Sequence, residues 1–445
     1  MSGIRRPPGP HNPLLFGQFA AFRRDPLQLL TSIEEKYGGL AYFKLGPQDV
    51  YLVSDPKLIE QILVLENPTF TKSPFLRKAR TFLGEGLLTA EGQQHLRQRR
   101  LVQPAFHREQ LMRYAADMVK IADKFRSRWQ DGAEMDIDQE MMRLTLAIIG
   151  QTMFSADVEA DAKEVGESMN TILGMFPTII LPFSEYLEKL PLPIITRYFK
   201  ARETLDGIIY GIIEQRRAEK HDHGDLLSML IAARDHEGDG SGMSDKQVRD
   251  EAITLFLAGH ETTANALTWS WYLLSQHPEV EERVHAEVEE VLAGRLPQFE
   301  DYPKLKFTES VMAEAMRLFP PVWTIGRQAK TSFELAGYTV PAKSVLLTSP
   351  YVVHRSKRYW PRAEQFDPDR WSIESHRMKF TYFPFGGGPR LCIGERFAWM
   401  EGVLLIAAIA QRWRLKLVPG HPVKPLPLIT LRPRHGMKMI LEARP

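Results

Sequence analysis

Apolar positions along the chain recur mostly at helical spacing, interrupted by short alternating stretches, which predicts a mainly α protein with small β-sheets, an α+β fold. Asp25 to Tyr37 carries the helical period, with Asp25 as cap, Pro26 in the first turn and Gly38-Gly39 as the stop. Ala41 to Leu45 and Val50 to Ser54 alternate around Gly46-Pro47, a hairpin signal, and a helix is expected from Pro56 to Leu65. Phe70 to Leu88 mixes aromatic, basic and glycine residues without a period and reads as a long loop, followed by a basic helix over His95 to Phe106. From Asp136 to Tyr210 the pattern is helical and largely apolar, broken by the prolines and aliphatic residues of Met175 to Pro193.

The second half is more sharply punctuated. Asp235 to Ser244 is a polar Gly/Asp/Ser loop, and Ser244 with Gln247 fits a capping box. The helix it opens runs to about Gln276, before Pro278, and would span about 45–50 Å. Phe307 to Phe319 reads as a helix stopped by Pro320-Pro321, with strand-like alternation continuing to about Ser349. Glu395 to Trp413 reads as a long buried helix, and Pro427 to Arg432 and Met437 to Leu441 as strands.

Composition narrows the picture. The chain has 445 residues, of which 44% are hydrophobic, enough for a sizeable core. Length alone suggests about three domains, but no linker of disordered composition divides the chain, so one domain over 1–445 is expected. A net charge of +2 carries no nucleic-acid footprint. The N-terminal stretch has no apolar run of spanning length, so neither a membrane anchor nor a transmembrane segment is expected. A cytoplasmic protein follows, with peripheral membrane contact left open.

Cys392 is the one cysteine, so no disulfide forms within the chain, and a reducing cytosol suits it. It is either a small core residue or a thiolate with a task. Its neighbours favour the task. Phe385 opens a run of three glycines, Gly386 to Gly388, which allows close approach of a flat partner. Pro389 stiffens the turn, Arg390 adds positive charge, and Gly394 precedes the apolar helix. That places the sulfur at a helix N-terminus, where a thiol pKa falls. One soft thiolate without Cys or His partners does not suit zinc, which takes four ligands. It suits the proximal position of a haem iron.

Phe385-Gly386-Gly387-Gly388-Pro389-Arg390-Leu391-Cys392-Ile393-Gly394 resembles the F-x-x-G-x-R-x-C-x-G haem-binding signature of cytochromes P450, with every fixed position filled. The resemblance implies haem b with Cys392 as axial thiolate, lying between the long central helix and the Cys-bearing loop. Three further stretches match in the right order. Ala258-Gly259-His260-Glu261-Thr262-Thr263 resembles A-G-x-E/D-T-T, in which an acid–alcohol pair, here Glu261 and Thr262, relays protons to dioxygen. Leu255, Ala258, Gly259, Thr262 and Ala266 share one helical face that is small at its centre, which packing against a neighbouring helix also explains. Glu314 and Arg317 match E-x-x-R and Arg370 belongs to an F-x-P-x-R-W element; the resemblance makes these three a buried charged triad that locks the cysteine loop. His260 is read as structural.

The same resemblance gives His95 and Arg99, four apart on one helical face, and Arg327 as partners of the haem propionates, although a solvated basic face accounts for the first two as well. Arg97 and Arg100 are candidates for docking an acidic redox partner. Phe75, Phe82, Leu87, Leu88, Leu255, Val322, Ile325, Leu428 and Ile429 are candidates for the substrate pocket, or ordinary packing. Met175 to Pro193 corresponds to the family's lid over the substrate. Arg5 to Pro10 resembles the hinge that follows the anchor in microsomal members, without the anchor, which points to the soluble bacterial type.

The expected activity is insertion of one oxygen atom from O2 into an apolar molecule, with fatty-acid or terpenoid chains favoured. No GxGxxG dinucleotide unit and no fused reductase are seen, so electrons are expected from a ferredoxin- or flavodoxin-type donor with its reductase. A peroxygenase of the same fold and a haem-binding sensor or carrier are the rivals. Glu261-Thr262 stand where a peroxygenase is expected to place an acid-binding Arg, and a carrier needs no proton relay.

Overall fold

Prolines and side-chain caps decide where many of the helices begin. A computed structural model of the chain describes residues 5–11, 16–155, 166–168, 171–172, 174–175, 192–219, 223–235, 237–372 and 378–444. Most of the expected lid, Met175 to Pro193, lies outside the described residues. Helix accounts for about 57% of the structure. Contacts along the chain divide it into two compact units, Met1–Arg77 with Ala313–Cys392, and Lys78–Met312 with Ile393–Pro445.

In chain order, α1 (Pro26–Tyr37) starts at Asp25, whose carboxylate accepts the Gln28 N–H. β1 (Leu40–Leu45) and β2 (Gln48–Val53) form the expected hairpin, with Leu45 opposite Gln48. The helix beginning at Pro56 ends its α turn at Glu60 and widens into a π turn over Gln61–Leu65. Next come β3 (Phe70–Lys72), α2 (Gly92–Val102), α3 (Arg108–Arg126), β4 (Glu134–Asp136), α4 (Ile137–Phe154) and α5 (Pro193–Ala218). α6 (Asp245–Gln276) is followed by α7 (Pro278–Leu292), α8 (Lys306–Leu318) and β5 (Ile325–Ala329). β6 (Phe333–Leu335), β7 (Tyr338–Val340), β8 (Val345–Thr348), α9 (Glu395–Ala410) and β9 (Trp413–Leu417) precede β10 (Pro425–Pro427), β11 (Leu431–Pro433) and β12 (Lys438–Ala443).

The first unit is built on a five-stranded sheet in the order β1-β2-β8-β5-β3. Its core packs Tyr51, Val53, Leu346 and Ala329 against Ile59, Ile62 and Leu63 of the π-turned helix. β3 lies inside the stretch expected to be loop. Phe70 to Lys72 pairs antiparallel with β5, Lys72 opposite Arg327, and short helices over Pro74–Lys78 and Arg80–Leu83 follow. The partner strand is distant in sequence, so a local period could not reveal it.

The second unit centres on α6, 32 residues long, with both halves of the Ser244–Gln247 capping box formed. At about 1.5 Å per residue it runs about 48 Å, and most of its middle is buried. α4, the first helix of the stretch expected to be helical from Asp136, ends at Phe154, with Ser155 in the left-handed conformation. α9 ends at Ala410, short of the expected Trp413, which instead opens β9 and pairs with Ala443 of β12. Sheet pairing overrides the apolar pattern at that end.

Glu401, in the middle of α9, is fully buried. Among the described residues no hydrogen bond of ordinary geometry reaches either carboxyl oxygen. Burial pushes its pKa up to about 8, with the nearby Thr263 hydroxyl offsetting part of the shift. The folded state thus keeps a proton that the unfolded chain releases near its ordinary value of 4.5. Stability is then fully present below that value and falls by up to about 1.4 kcal/mol per pH unit as pH rises towards 8. Glu401→Gln removes the titration, so its melting temperature should exceed the parent's by a margin that widens from pH 5 to pH 8. A margin that stays constant with pH would show that Glu401 does not hold its proton.

Candidate active site

Cys392 ends a loop whose path is set by contacts that admit no side chain. Gly388 has φ 68°, and a Cβ there would lie 2.2 Å from the Leu63 carbonyl oxygen of the π turn. At Gly387 a Cβ would strike the Phe380 ring. The loop closes on itself, with the Cys392 N–H donating to the Phe385 carbonyl and the Leu391 N–H to that of Gly388, both at 3.0 Å. The cysteine is exposed, whereas Phe385, Gly386 and Arg390 are half-buried. Gly386 approaches the Ile325 side chain of β5, from which a Cβ would stand 3.6 Å. Ile325 and Arg327 alternate onto the same face of that strand, so the cysteine loop, an apolar contact and a buried cation meet within the first unit.

Glu314 braces this loop. The carboxylate and the Arg317 guanidinium form a two-pronged pair, 2.9 Å on each side, with both side chains 0% exposed. Arg370 Nε donates to Glu314 Oε1 at 2.9 Å, the Trp371 indole to Oε2 at 2.9 Å and the Asp367 N–H to Oε1 at 3.0 Å. Arg317 meanwhile donates to the carbonyls of His354, Ala363 and Gln365. The Trp371 ring packs on Tyr382 with centroids 4.5 Å apart, and His354 Nε2 accepts the Phe383 N–H at 2.9 Å. Tyr382 and Phe383 lead directly into the cysteine loop. Burial and the Arg317 charge hold the His354 ring well below its usual pKa, so it stays neutral and able to accept.

In the second unit, α6 has one opening. Ala258 is exposed while the residues from Val248 to Leu257 are buried, and Gly259 and Thr262 are half-buried. A Cβ at Gly259 would come 2.6 Å from Ile149 of α4, so glycine there allows the two helices to close. The Thr262 hydroxyl donates to the Ala258 carbonyl at 2.6 Å. Glu261 points away from the opening into a buried polar nest. Its Oε1 accepts from Arg432 Nε at 2.6 Å and from the Thr430 hydroxyl. Asn265 donates to Thr430 Oγ1 and to the Glu261 carbonyl, and the Trp269 indole donates to the Leu431 carbonyl. His260 is buried, and desolvation lowers its pKa to about 4, so it is neutral near pH 7.

Thr430, Arg432 and Asn265 were not among the sequence-predicted residues. Asn265 and Trp269 stand four and eight residues after Glu261, on one helical face, and that spacing was the available signal. The hairpin partners carry none, since only folding brings residue 430 to residue 261. Gly394 is the N-cap of α9. His95 is buried and Arg99 half-buried on α2. Arg97 and Arg100, candidates for a docking patch, point their guanidinium groups at the buried Asp235 carboxylate, with Arg100 gripping both its oxygens. They anchor the loop before α6.

Of the pocket candidates, Phe75 and Leu88 are exposed, and Phe82, Leu87 and Leu255 are buried. Phe82 lines a small cavity with Ile172, Leu205, Arg249 and Ile253. Val322, Ile325, Leu428 and Ile429 are half-buried, the last two in the β10–β11 turn beside Thr430. Among the described residues no three His, Cys, Asp or Glu side chains gather to hold a bare metal ion. One exposed sulfur on a braced glycine loop, with the buried Arg327 on the adjoining strand of the same unit, fits a metal whose other ligands arrive with a macrocycle.

Glu314→Ala strands the fully buried Arg317 charge and should cost about 3–5 kcal/mol of stability, measured by chemical denaturation. A loss below about 1 kcal/mol would mean that the frame does not depend on this carboxylate.

The Cytochrome P450 family model matches residues 7–439. The chain is 41% identical over 435 residues to cyclooctatin synthase of Streptomyces melanosporofaciens, covering 97% of this chain and 94% of that one. It is 35% identical over 425 residues to pentalenene oxygenase of Streptomyces avermitilis, covering 95% and 94%. A cyanobacterial cytochrome P450 solved with retinoic acid bound superposes with a TM-score of 0.89 at 25% identity, over 100% of both chains. Among the described residues no helix is long and apolar enough to cross a membrane. With a family model running nearly end to end and relatives aligned over almost their whole lengths, this chain belongs to the cytochrome P450 family and is a monooxygenase.

Proposed function

We propose that this monooxygenase holds haem b through the Cys392 thiolate and places one oxygen atom from O2 in an apolar terpenoid, by hydroxylation or epoxidation. The observation that carries the reading is Cys392 itself, exposed at the end of a loop that Glu314 and its arginines brace. Haem supplies dioxygen activation and electron storage, and the protein supplies the rest. His95, Arg99 and Arg327 are the cations proposed to pair with the propionates, and Arg390 adds positive charge close to the sulfur. Glu261 and Thr262 move protons: the acid links to solvent, and the Thr262 hydroxyl, in the opening of α6, orients them.

A terpenoid is favoured over a fatty acid because the relatives are named for cyclooctatin and pentalenene. Electrons come from a separate ferredoxin- or flavodoxin-type donor with its reductase. Both units serve one catalytic domain, a reading supported by a single family model that runs through them.

The decisive experiment is the absorption spectrum of the purified protein, reduced with dithionite under carbon monoxide. A strongly red-shifted Soret band, lost in Cys392→Ser, is expected. A histidine-type band would overturn the thiolate assignment. With haem in place, Thr262→Ala should keep the spin-state shift given by a bound terpene while product per NAD(P)H falls several-fold and hydrogen peroxide rises. Unchanged coupling would remove Thr262 from the relay, and turnover with peroxide alone would make the protein a peroxygenase.

A further inference from the structure

The nest around Glu261 is continuous with a second acid. From Arg432 the chain runs along β11 and turns through residues 434–437, where Arg434 bridges to Gly436. It is then stitched to the start of α4. The Met437 N–H donates to Asp136 Oδ1 at 2.9 Å, the Ile137 N–H to the Met437 carbonyl at 2.8 Å, and Lys438 pairs opposite Asp136. A Cβ at Gly436 would fall 2.3 Å from the Asp136 carboxylate, so this turn lies directly against the helix start. One residue into α4 stands Asp138, half-buried.

Two groups along this path keep unused hydrogen-bonding capacity. Arg432 turns Nε to Glu261, while its Nη2 is buried with no partner among the described residues. Asp138 Oδ1 is likewise buried and unpartnered. Opposite charges with open donors and acceptors are the arrangement that a bridging water satisfies. On Glu261 both hydrogen bonds fall on Oε1, so among the described residues Oε2 accepts none.

We propose that Asp138 is a positioning residue of the proton route, taking protons from solvent and handing them, beside Arg432, to Glu261. This rests on the relay role given to Glu261 above. The transfer moves one proton: Asp138 loses it, Glu261 gains it, and solvent restores it to Asp138. Arg432 keeps its own protons and supplies positive charge to both carboxylates. The charged groups facing Asp138 are Arg432 from β11, Glu261 from α6 and Asp136 just before its own helix. Burial, reinforced by the two acids and opposed by Arg432, raises the Asp138 pKa to about 6, which suits exchange near neutral pH.

Infrared difference titration of the haem-loaded protein, without substrate, reads this directly. A protonated-carboxyl band titrating near pH 6 should be absent from Asp138→Asn. It should move to lower pH in Glu261→Gln, which removes a neighbouring negative charge, and to higher pH in Arg432→Gln. A band unmoved in Glu261→Gln overturns the proposal. The functional arm is peroxide released per NADPH with a surrogate plant-type ferredoxin and its reductase. Asp138→Asn should raise it several-fold at neutral pH, and Asp138→Glu should restore it. If Glu261→Gln raises peroxide and Asp138→Asn does not, Asp138 falls while the relay stands. If Glu261→Gln leaves peroxide unchanged, the relay role of Glu261 falls first and Asp138 with it.

Discussion

The first unit depends on one buried carboxylate. Glu314 accepts from Arg317, Arg370, the Trp371 indole and the Asp367 backbone. Taking a carboxylate and a guanidinium fully out of water is unfavourable unless every lone pair and proton finds a partner. Here the partners come from two places in the chain, Arg317 on the same helix and the segment from Asp367 to Trp371, and Arg317 passes the constraint on through three carbonyls. Because each donor has a fixed direction, the network tolerates one arrangement of the segments around it. The loop leading to Cys392 inherits that arrangement through Tyr382 and Phe383. A thiolate that must meet a flat cofactor at a set angle needs such a frame, because the glycines that let the loop approach also remove its own stiffness.

Glu261 is a different kind of acid. It is nearly as buried as Glu314, yet both of its hydrogen bonds fall on one oxygen, from an arginine that is 19% exposed and from a threonine. A carboxylate held on one side can still offer the other. The contrast follows the chemistry: a frame must not move, whereas a group that exchanges protons must reach two surroundings. The neutral neighbours fit this division. His260 and Glu401, both buried, avoid the penalty of charge by giving up or keeping a proton.

α6 reconciles a long buried helix with a working surface. Its capping box and apolar positions secure the ends and flanks, and small residues confine the opening to the turn around Ala258. Thr262 bonds its own helix across that turn. Function is thereby concentrated where the helix is least packed.

Local chemistry was readable from the sequence wherever neighbours in the chain are neighbours in space. The Ser244–Gln247 cap, the hairpin at Gly46-Pro47, the pairing of Glu314 with Arg317 one helical turn apart, and the glycine-rich approach to Cys392 all follow from spacing and side-chain type. The tertiary structure alone decided the rest. β3 exists because β5 lies beside it, Trp413 leaves its helix because β12 claims its backbone, and Arg97 and Arg100 pair inward because Asp235 is buried beneath them. Glu261 meets Thr430 and Arg432 across a separation that no periodicity spans. A hydrogen bond has a range of about 3 Å, and only the folded chain determines which distant residues come within it.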